Sequence, residues 1–175
     1  MAPRARVALR VARIEDASDL AALARSSRRL HRPWVYLPQT AAEWKRRLRR
    51  PADGRTVSYL VRLRKTGQVV GVVTLSEIVR GLFQSAYLAF YAHAAFAGQG
   101  LMTEAVREAV TRALSEHGLH RVEANIQPGN LASRRLARSL GFRREGYSEK
   151  YLKIGGRWQD HERWAVTRES WRPSR

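Results

Sequence analysis

The sequence predicts an α/β (α+β) fold, a mixed central sheet with flanking helices, and three observations carry that expectation. Runs that alternate apolar and polar residues are interspersed with apolar stripes at three- and four-residue spacing along the 175 residues, so strand and helix periodicities mix in one chain. Three strand-like runs follow one another between Thr56 and Ala92, the pattern of an antiparallel meander. The last of them enters a glycine-bounded turn, the longest helical stripe and then a further strand. That order makes a right-handed crossover between two parallel strands.

The opening run "RVALRVARI" reads as a strand. "EDASDLAALARSSRRL" after it places Leu20, Leu23 and Leu30 at helical spacing behind the capping candidates Asp16 and Ser18. In "TAAEWKRRLRR", Thr40 with Glu43 fits a capping box and Pro51 ends the helical pattern. "TVSYLVRLRKTGQVVGVVTLSEI" gives two strands joined at Thr66-Gly67, and "SAYLAFYA" a third. Leu101, Ala105, Val106, Ala109, Val110, Ala113 and Leu114 form the long helical stripe, with Gly118 as its stop. "RVEANI" alternates as a strand with Val122, Ala124 and Ile126 on one face, and "NLASRRLARSL" is a helix opened by Asn130 and closed by Gly141. "KYLKI" and "RWQDHERWAV" flank Gly155-Gly156, a hairpin signal. No linker or repeat divides the chain, and residues 1–175 are expected to form one domain.

Composition narrows the chemistry. Cysteine is absent, which removes disulfides, thiolate metal sites and a cysteine nucleophile. The five histidines, 31, 93, 117, 120 and 161, show no metal-ligand spacing, so no metal is expected. No run approaches the roughly 20 apolar residues of a membrane span. "MAPRARVALR" lacks the apolar stretch and cleavage site of a secretory signal, so the expected location is cytoplasmic. The chain holds 33 Lys and Arg against 15 Asp and Glu, a net charge of +18. Up to Arg80 there are 18 basic and 6 acidic residues, and from Gly81 onward 15 and 9, so the first half carries the excess. Two clusters dominate it, "RSSRRLHR" at Arg25 to Arg32 and "KRRLRR" at Lys45 to Arg50. Such a surface attracts polyanions, and a coding bias toward Arg would produce it with no partner at all.

The turn "FAGQG" at Phe96 to Gly100 sits between strand and helix. Glycines at 98 and 100 let the backbone approach a ligand, and the unpaired N–H groups of the next helix's first turn suit an anion such as a phosphate or pyrophosphate. No Lys-Ser/Thr pair follows Gly100 and no third glycine sits at position 103, so neither the P-loop nor the dinucleotide fingerprint is present.

"GQGLMTEAV", the strand after it, and "NLASRRLARSLGFRREGY" stand in the order and spacing of the GNAT family of acetyl-CoA-dependent N-acetyltransferases, which the chain resembles over nearly its whole length. "IVRGLFQSAYLAF", "GLMTEA", "HRVEAN" and "EGYSEKYLKIGGRWQDH" are most similar to its RimJ/RimL group, which includes ribosomal-protein alanine N-acetyltransferases. The resemblance implies acetyl-CoA as cosubstrate, with its pyrophosphate on the backbone N–H groups of Gly98, Gln99, Gly100, Leu101, Met102 and Thr103. It implies pairing of the pantetheine with the strand end Phe90, Tyr91 and Ala92, a bond from Asn130 to the same arm, and Ser133 near the sulfur. The family pattern begins the turn with Arg or Gln where this chain has Ala97.

Acetyl transfer to an amine needs a neutral amine, a polarised carbonyl and a proton for the departing thiolate. Without cysteine, direct attack in a ternary complex is the simplest route. Glu77 is the expected base and Ser133 the expected acid. Some relatives carry a glutamate as base where this chain has Leu152; Tyr147 and Tyr151 are candidate substitutes whose expected role is core packing, and Asp160-His161 point to opposite faces of a strand. The acceptor implied is a protein N-terminus, that of a ribosomal protein, with the Arg clusters contacting rRNA. The alternatives are a small-amine N-acetyltransferase acting on an antibiotic or polyamine, and an RNA-binding ribosome-assembly factor with secondary acetyltransferase activity.

Overall fold

The computed structural model of the protein describes residues 5–49 and 54–172. Strand β1 (Val7–Val11) is followed by helices α1 (Ala17–Ser26), α2 (Arg28–His31) and α3 (Ala41–Leu48), then by the meander β2 (Val57–Leu63), β3 (Val69–Val79) and β4 (Ser85–Ala92). The remainder runs α4 (Leu101–Ser115), β5 (Arg121–Ile126), α5 (Leu131–Ser139), β6 (Arg143–Ile154) and β7 (Arg157–Thr167). All seven strands form one sheet in the order β1-β2-β3-β4-β5-β7-β6. Every neighbouring pair is antiparallel except β4 and β5, which are parallel. The mixed sheet and the crossover through α4 are thus as the periodicity predicts.

Two apolar layers hold this sheet. On one face the α4 stripe, with Ala105, Val106, Ala109, Val110 and Ala113 fully buried, packs with Ala137 of α5 and Leu140 just beyond it against Val73, Leu75, Val122 and Ala124. Alanine every fourth residue lets α4 lie close to the strands. On the opposite face Leu20 and Ala24 of α1 and Trp44 of α3 pack against Leu60 and Val72. Each fully buried Leu or Val contributes about 1.5–3 kcal/mol relative to exposure.

Local sequence explains the ends. Thr40 and Glu43 form the complete capping box of α3. Asp16 occupies the N-cap position of α1, but its buried carboxylate does not cap that helix; it accepts the Arg13 N–H and pairs with Arg10 at 2.5 Å. Ser18 lies inside α1 and caps nothing. The first helix also breaks at Ser27, which leaves Leu30 of α2 exposed rather than in the core. Strand β6 begins at Arg143, seven residues before the apolar run "KYLKI", because β7 pairs with the polar stretch through two register shifts. Arg50 and Pro51 lie outside the described residues. Among the described residues no helix is long and apolar enough to cross a membrane, and no group of three or more His, Asp or Glu could hold a metal ion.

Candidate active site

The parallel strands part company early. They pair only at Ser85 with Arg121, Ala86 with Val122 and Tyr87 with Glu123. Beyond this point β4 stays with β3 as far as Ala92, and β5 stays with β7 as far as Ile126. A gap therefore opens between the carboxyl halves of β4 and β5, where crossover folds bind ligands. The His93 N–H donates to the Val70 carbonyl at 2.7 Å. Antiparallel alternation then commits the Tyr91 peptide to β3 and turns the peptide groups of Phe90 and Ala92 toward the gap. The Ala92 carbonyl accepts from His31 Nε2 at 2.8 Å. Of the expected strand-end residues, Phe90 thus offers its peptide to the gap, Ala92 only its N–H, and Tyr91 neither group. Tyr91 instead packs its ring against the α1/α3 layer, where burial pushes its phenol up.

At the end of β4 the turn has the shape its sequence implies. Gly98 and Gly100 have φ of 76° and 75°, the left-handed region that favours glycine. No side chain caps the first turn of α4, unlike α3 and α5, so the N–H groups of Leu101, Met102 and Thr103 remain available to an anion. Leu101 and Met102 bury their side chains in the core and can contribute backbone alone. Gln99 uses its side-chain amide on the Ala95 carbonyl. Position 97 has no cation, yet one stands at the turn: Arg6 donates to the Gln99 carbonyl at 3.1 Å and to Glu104 of α4 at 2.5 Å. That clamp joins residues 93 apart and has no local sequence signal.

The end of β5 carries the second helix N-terminus. Asn130 caps α5, its Oδ1 accepting the Ser133 N–H at 3.2 Å, which leaves the Asn130 amide N–H groups as donors. Ser133 is half-buried one turn into α5. The segment from His31 to Trp34 bridges the gap from β4 to β5. His31 holds Ala92 at one end, and Gln127 donates to the Trp34 carbonyl at 3.0 Å at the other. Two further bonds fasten the α1/α2 corner beyond β4, Ala94 N–H to Ser27 Oγ at 2.9 Å and Ser26 Oγ with His93 Nε2 at 3.2 Å. Beside this bridge a hollow of about 430 Å³ is lined by Trp34, Gln127, Lys150, Trp158 and Asp160, among others.

The remaining candidates lie on β3, β4, β6 and β7. Glu77 sits at the bulge of β3 with φ 48°, its exposed carboxylate 2.7 Å from Arg55. Tyr87 lies 3.5 Å from the Tyr151 hydroxyl, and its phenol is pushed up to about 12 by that hydrogen bond, by burial and by the charges of Glu123 and Glu77. Tyr147 is exposed, not in the core; its hydroxyl donates to Asp160 at 2.6 Å because its strand position faces solvent. Asp160 also accepts the Lys150 N–H, whereas buried His161 bonds the Gln159 carbonyl. They form no dyad, as strand alternation requires. Burial pulls the His161 imidazole below its usual value.

The cationic clusters lie on and beside α2 and α3, and Arg47 of α3 acts on the Tyr91 phenol. Arg28, Arg29, Lys45, Arg46, Arg47 and Arg49 are exposed on and beside α2 and α3, and Glu43 is the lone carboxylate from Leu20 to Arg49. Glu43 is already engaged by Thr40 and Gln39.

Comparison with known proteins agrees with this geometry. The chain is 42% identical over 99 residues to the probable N-acetyltransferase YjcK of Bacillus subtilis (strain 168), covering 57% of the chain and 55% of that relative. It is 39% identical over 108 residues to the ribosomal protein uS5 alanine N-acetyltransferase of Escherichia coli (strain K12), covering 62% and 56%. The chain spans about half the length of these curated relatives. Mycobacterium smegmatis RimJ, solved in complex with CoA-disulfide, shares the fold with a TM-score of 0.85 at 28% identity, over 93% of this chain and 82% of that one. Residues 6–143 match the family model described as the acetyltransferase (GNAT) domain, and the chain belongs to that family.

Proposed function

We propose that the protein is an acetyl-CoA-dependent N-acetyltransferase whose acceptor is the N-terminal α-amine of a protein, that of a ribosomal protein beginning with alanine. The observation that carries this reading is the gap between β4 and β5, flanked by the uncapped N-terminus of α4 and the Asn130-capped N-terminus of α5. An extended amide arm fits such a gap, and the E. coli relative's name supplies the acceptor class. When bound, acetyl-CoA supplies an activated acyl group. The N–H groups from Gly98 to Thr103 hold its pyrophosphate, the Phe90 peptide pairs with the arm, and Asn130 Nδ2 donates to it. In the ternary complex the amine nitrogen forms the new C–N bond as the C–S bond breaks. Ser133 Oγ–H gives the leaving sulfur a proton and regains one from water, while Glu77 receives the amine's proton through water and returns it to solvent.

An α-amine, with a pKa of roughly 7.7–8.0 against about 10.4 for lysine, yields its proton to so weak a base far more readily. Thiol release is expected with free Ala or Ser peptides and not with N-blocked lysine peptides or polyamines. Ser133→Ala should cut kcat about tenfold while leaving coenzyme affinity intact. Turnover of polyamines alone would replace this reading with the small-amine one. Coenzyme binding without turnover of any amine would favour the assembly-factor reading.

The cationic surface of α2 and α3 repels a free basic protein tail, so the proposed target is assembled on rRNA, with phosphates meeting Arg46, Arg47 and Arg49. Replacing all three by Gln should flatten the log–log salt dependence of rRNA binding by about 0.7–0.9 per lost phosphate contact. Binding that ignores salt, or survives the triple change intact, would remove rRNA from the proposal.

A further inference from the structure

One side chain at the mouth of the gap has no assigned task. Strand β5 sends Val122, Ala124 and Ile126 into the core, so Asn125 projects from the opposite face beside Glu123. Glu123 is the last β5 residue paired with β4; Asn125 stands two residues further, where the strands have separated. The Oδ1 of Asn125 is shut off from solvent and accepts no hydrogen bond from the protein. A buried amide oxygen without a donor is unfavourable, so a group that donates to it from within the gap gains what the free protein lacks.

Three of the charges around it are paired with one another. Arg121 is held by Glu123 at 2.7 Å and by Glu145. Across the pairing from Asn125, Arg163 of β7 lays its guanidinium over Gly146. His161, whose imidazole burial pulls below its usual value, and Tyr87, whose phenol is pushed up to about 12 first by its hydrogen bond with Tyr151 and then by burial, complete the face. The gap therefore presents a neutral acceptor oxygen beside Arg163, in a face whose other ions, Arg121, Glu123 and Glu145, are paired to one another.

We propose that Asn125 holds the acceptor's amino group, its Oδ1 accepting one N–H so that the nitrogen lone pair is directed across the gap toward the β4 edge. The inference deepens the acetyltransferase reading and rests on it. A neutral oxygen holds an amine without favouring the ammonium form, as a carboxylate would. This choice suits an α-amine that is already partly deprotonated near neutrality.

The test uses the full chain with an N-terminal Ala peptide. Asn125→Leu should raise the peptide KM about tenfold and weaken peptide binding to the enzyme–coenzyme A complex by the same factor, with coenzyme affinity unchanged. Asn125→Asp should move the rising limb of the kcat–pH profile upward by about one unit or more, because a carboxylate stabilises the bound ammonium; a residue that only packs would leave the profile in place. Unchanged peptide KM and pH profile in an active enzyme would overturn the inference alone, as would a parallel loss of coenzyme affinity. If the wild type acetylates no amine, the acetyltransferase reading falls and takes this inference with it.

Discussion

A Gly100→Val variant is expected to bind coenzyme A at least about 100-fold more weakly than the wild type while remaining folded, a loss of about 2.7 kcal/mol. The reason is conformational more than steric. A side chain at position 100 meets open space apart from Arg6 Nη2, 3.4 Å from where its Cβ would lie. The φ of 75°, however, costs a β-branched residue about 1–3 kcal/mol, which the turn relieves by leaving the left-handed region. That movement takes the N–H groups of Leu101, Met102 and Thr103 out of convergence, and each charge-assisted bond lost is worth about 1.5–3 kcal/mol. The rest of α4 keeps its buried stripe. Calorimetric titration with coenzyme A, beside a thermal melt of the apo protein, checks both halves; a Kd within threefold of wild type would mean the pyrophosphate binds elsewhere.

Gly71→Ala is expected to be the most damaging single methyl in the described structure. Its Cβ would lie 2.5 Å from Met102 Sδ and 2.5 Å from the Tyr91 carbonyl oxygen. The sulfur can swing aside, but the carbonyl belongs to the β3–β4 ladder and cannot without breaking it. Overpacking of this kind costs about 1–3 kcal/mol, and the backbone contact places it at the upper end. With a urea m-value of about 1–3 kcal/mol/M, the midpoint should fall by about 1 M. Coenzyme affinity should drop as well, because Met102 opens α4 and Tyr91 borders the gap. A wild-type urea midpoint would show that β3 and β4 separate there more easily than their register implies.

These two glycines mark what the sequence could and could not tell. Gly100 is legible because strand, glycine turn and helical stripe are local patterns, and the same holds for the Thr40–Glu43 box, the Asn130 cap and the alternation of β5. Gly71 reads as nothing more than a residue in an apolar strand, since its neighbours Met102 and Tyr91 come from other elements. Arg6 at the glycine turn, His31 on Ala92 and the bridge from Trp34 to Gln127 are likewise contacts between distant segments. The split roles of Phe90, Tyr91 and Ala92 depend on the hydrogen-bond phase of the β3–β4 ladder, which alternation alone leaves undetermined. Asn125 was hidden for another reason: its signal is a missing partner, visible only once every neighbour is placed.

The early parting of β4 and β5 also bears on how the molecule holds together. Among the described residues the β4–β5 ladder that joins the four-strand half of the sheet to the half made of β5, β7 and β6 has three residue pairs. An extended ligand laid along the Phe90 edge, as proposed, would be an eighth strand in that notch and would stitch the two halves through its own amides. Occupancy and cohesion are then one quantity. A saturated protein gains RT ln(1 + [L]/Kd) of resistance to unfolding, and the part of the sheet that gains it is the seam its own backbone leaves open.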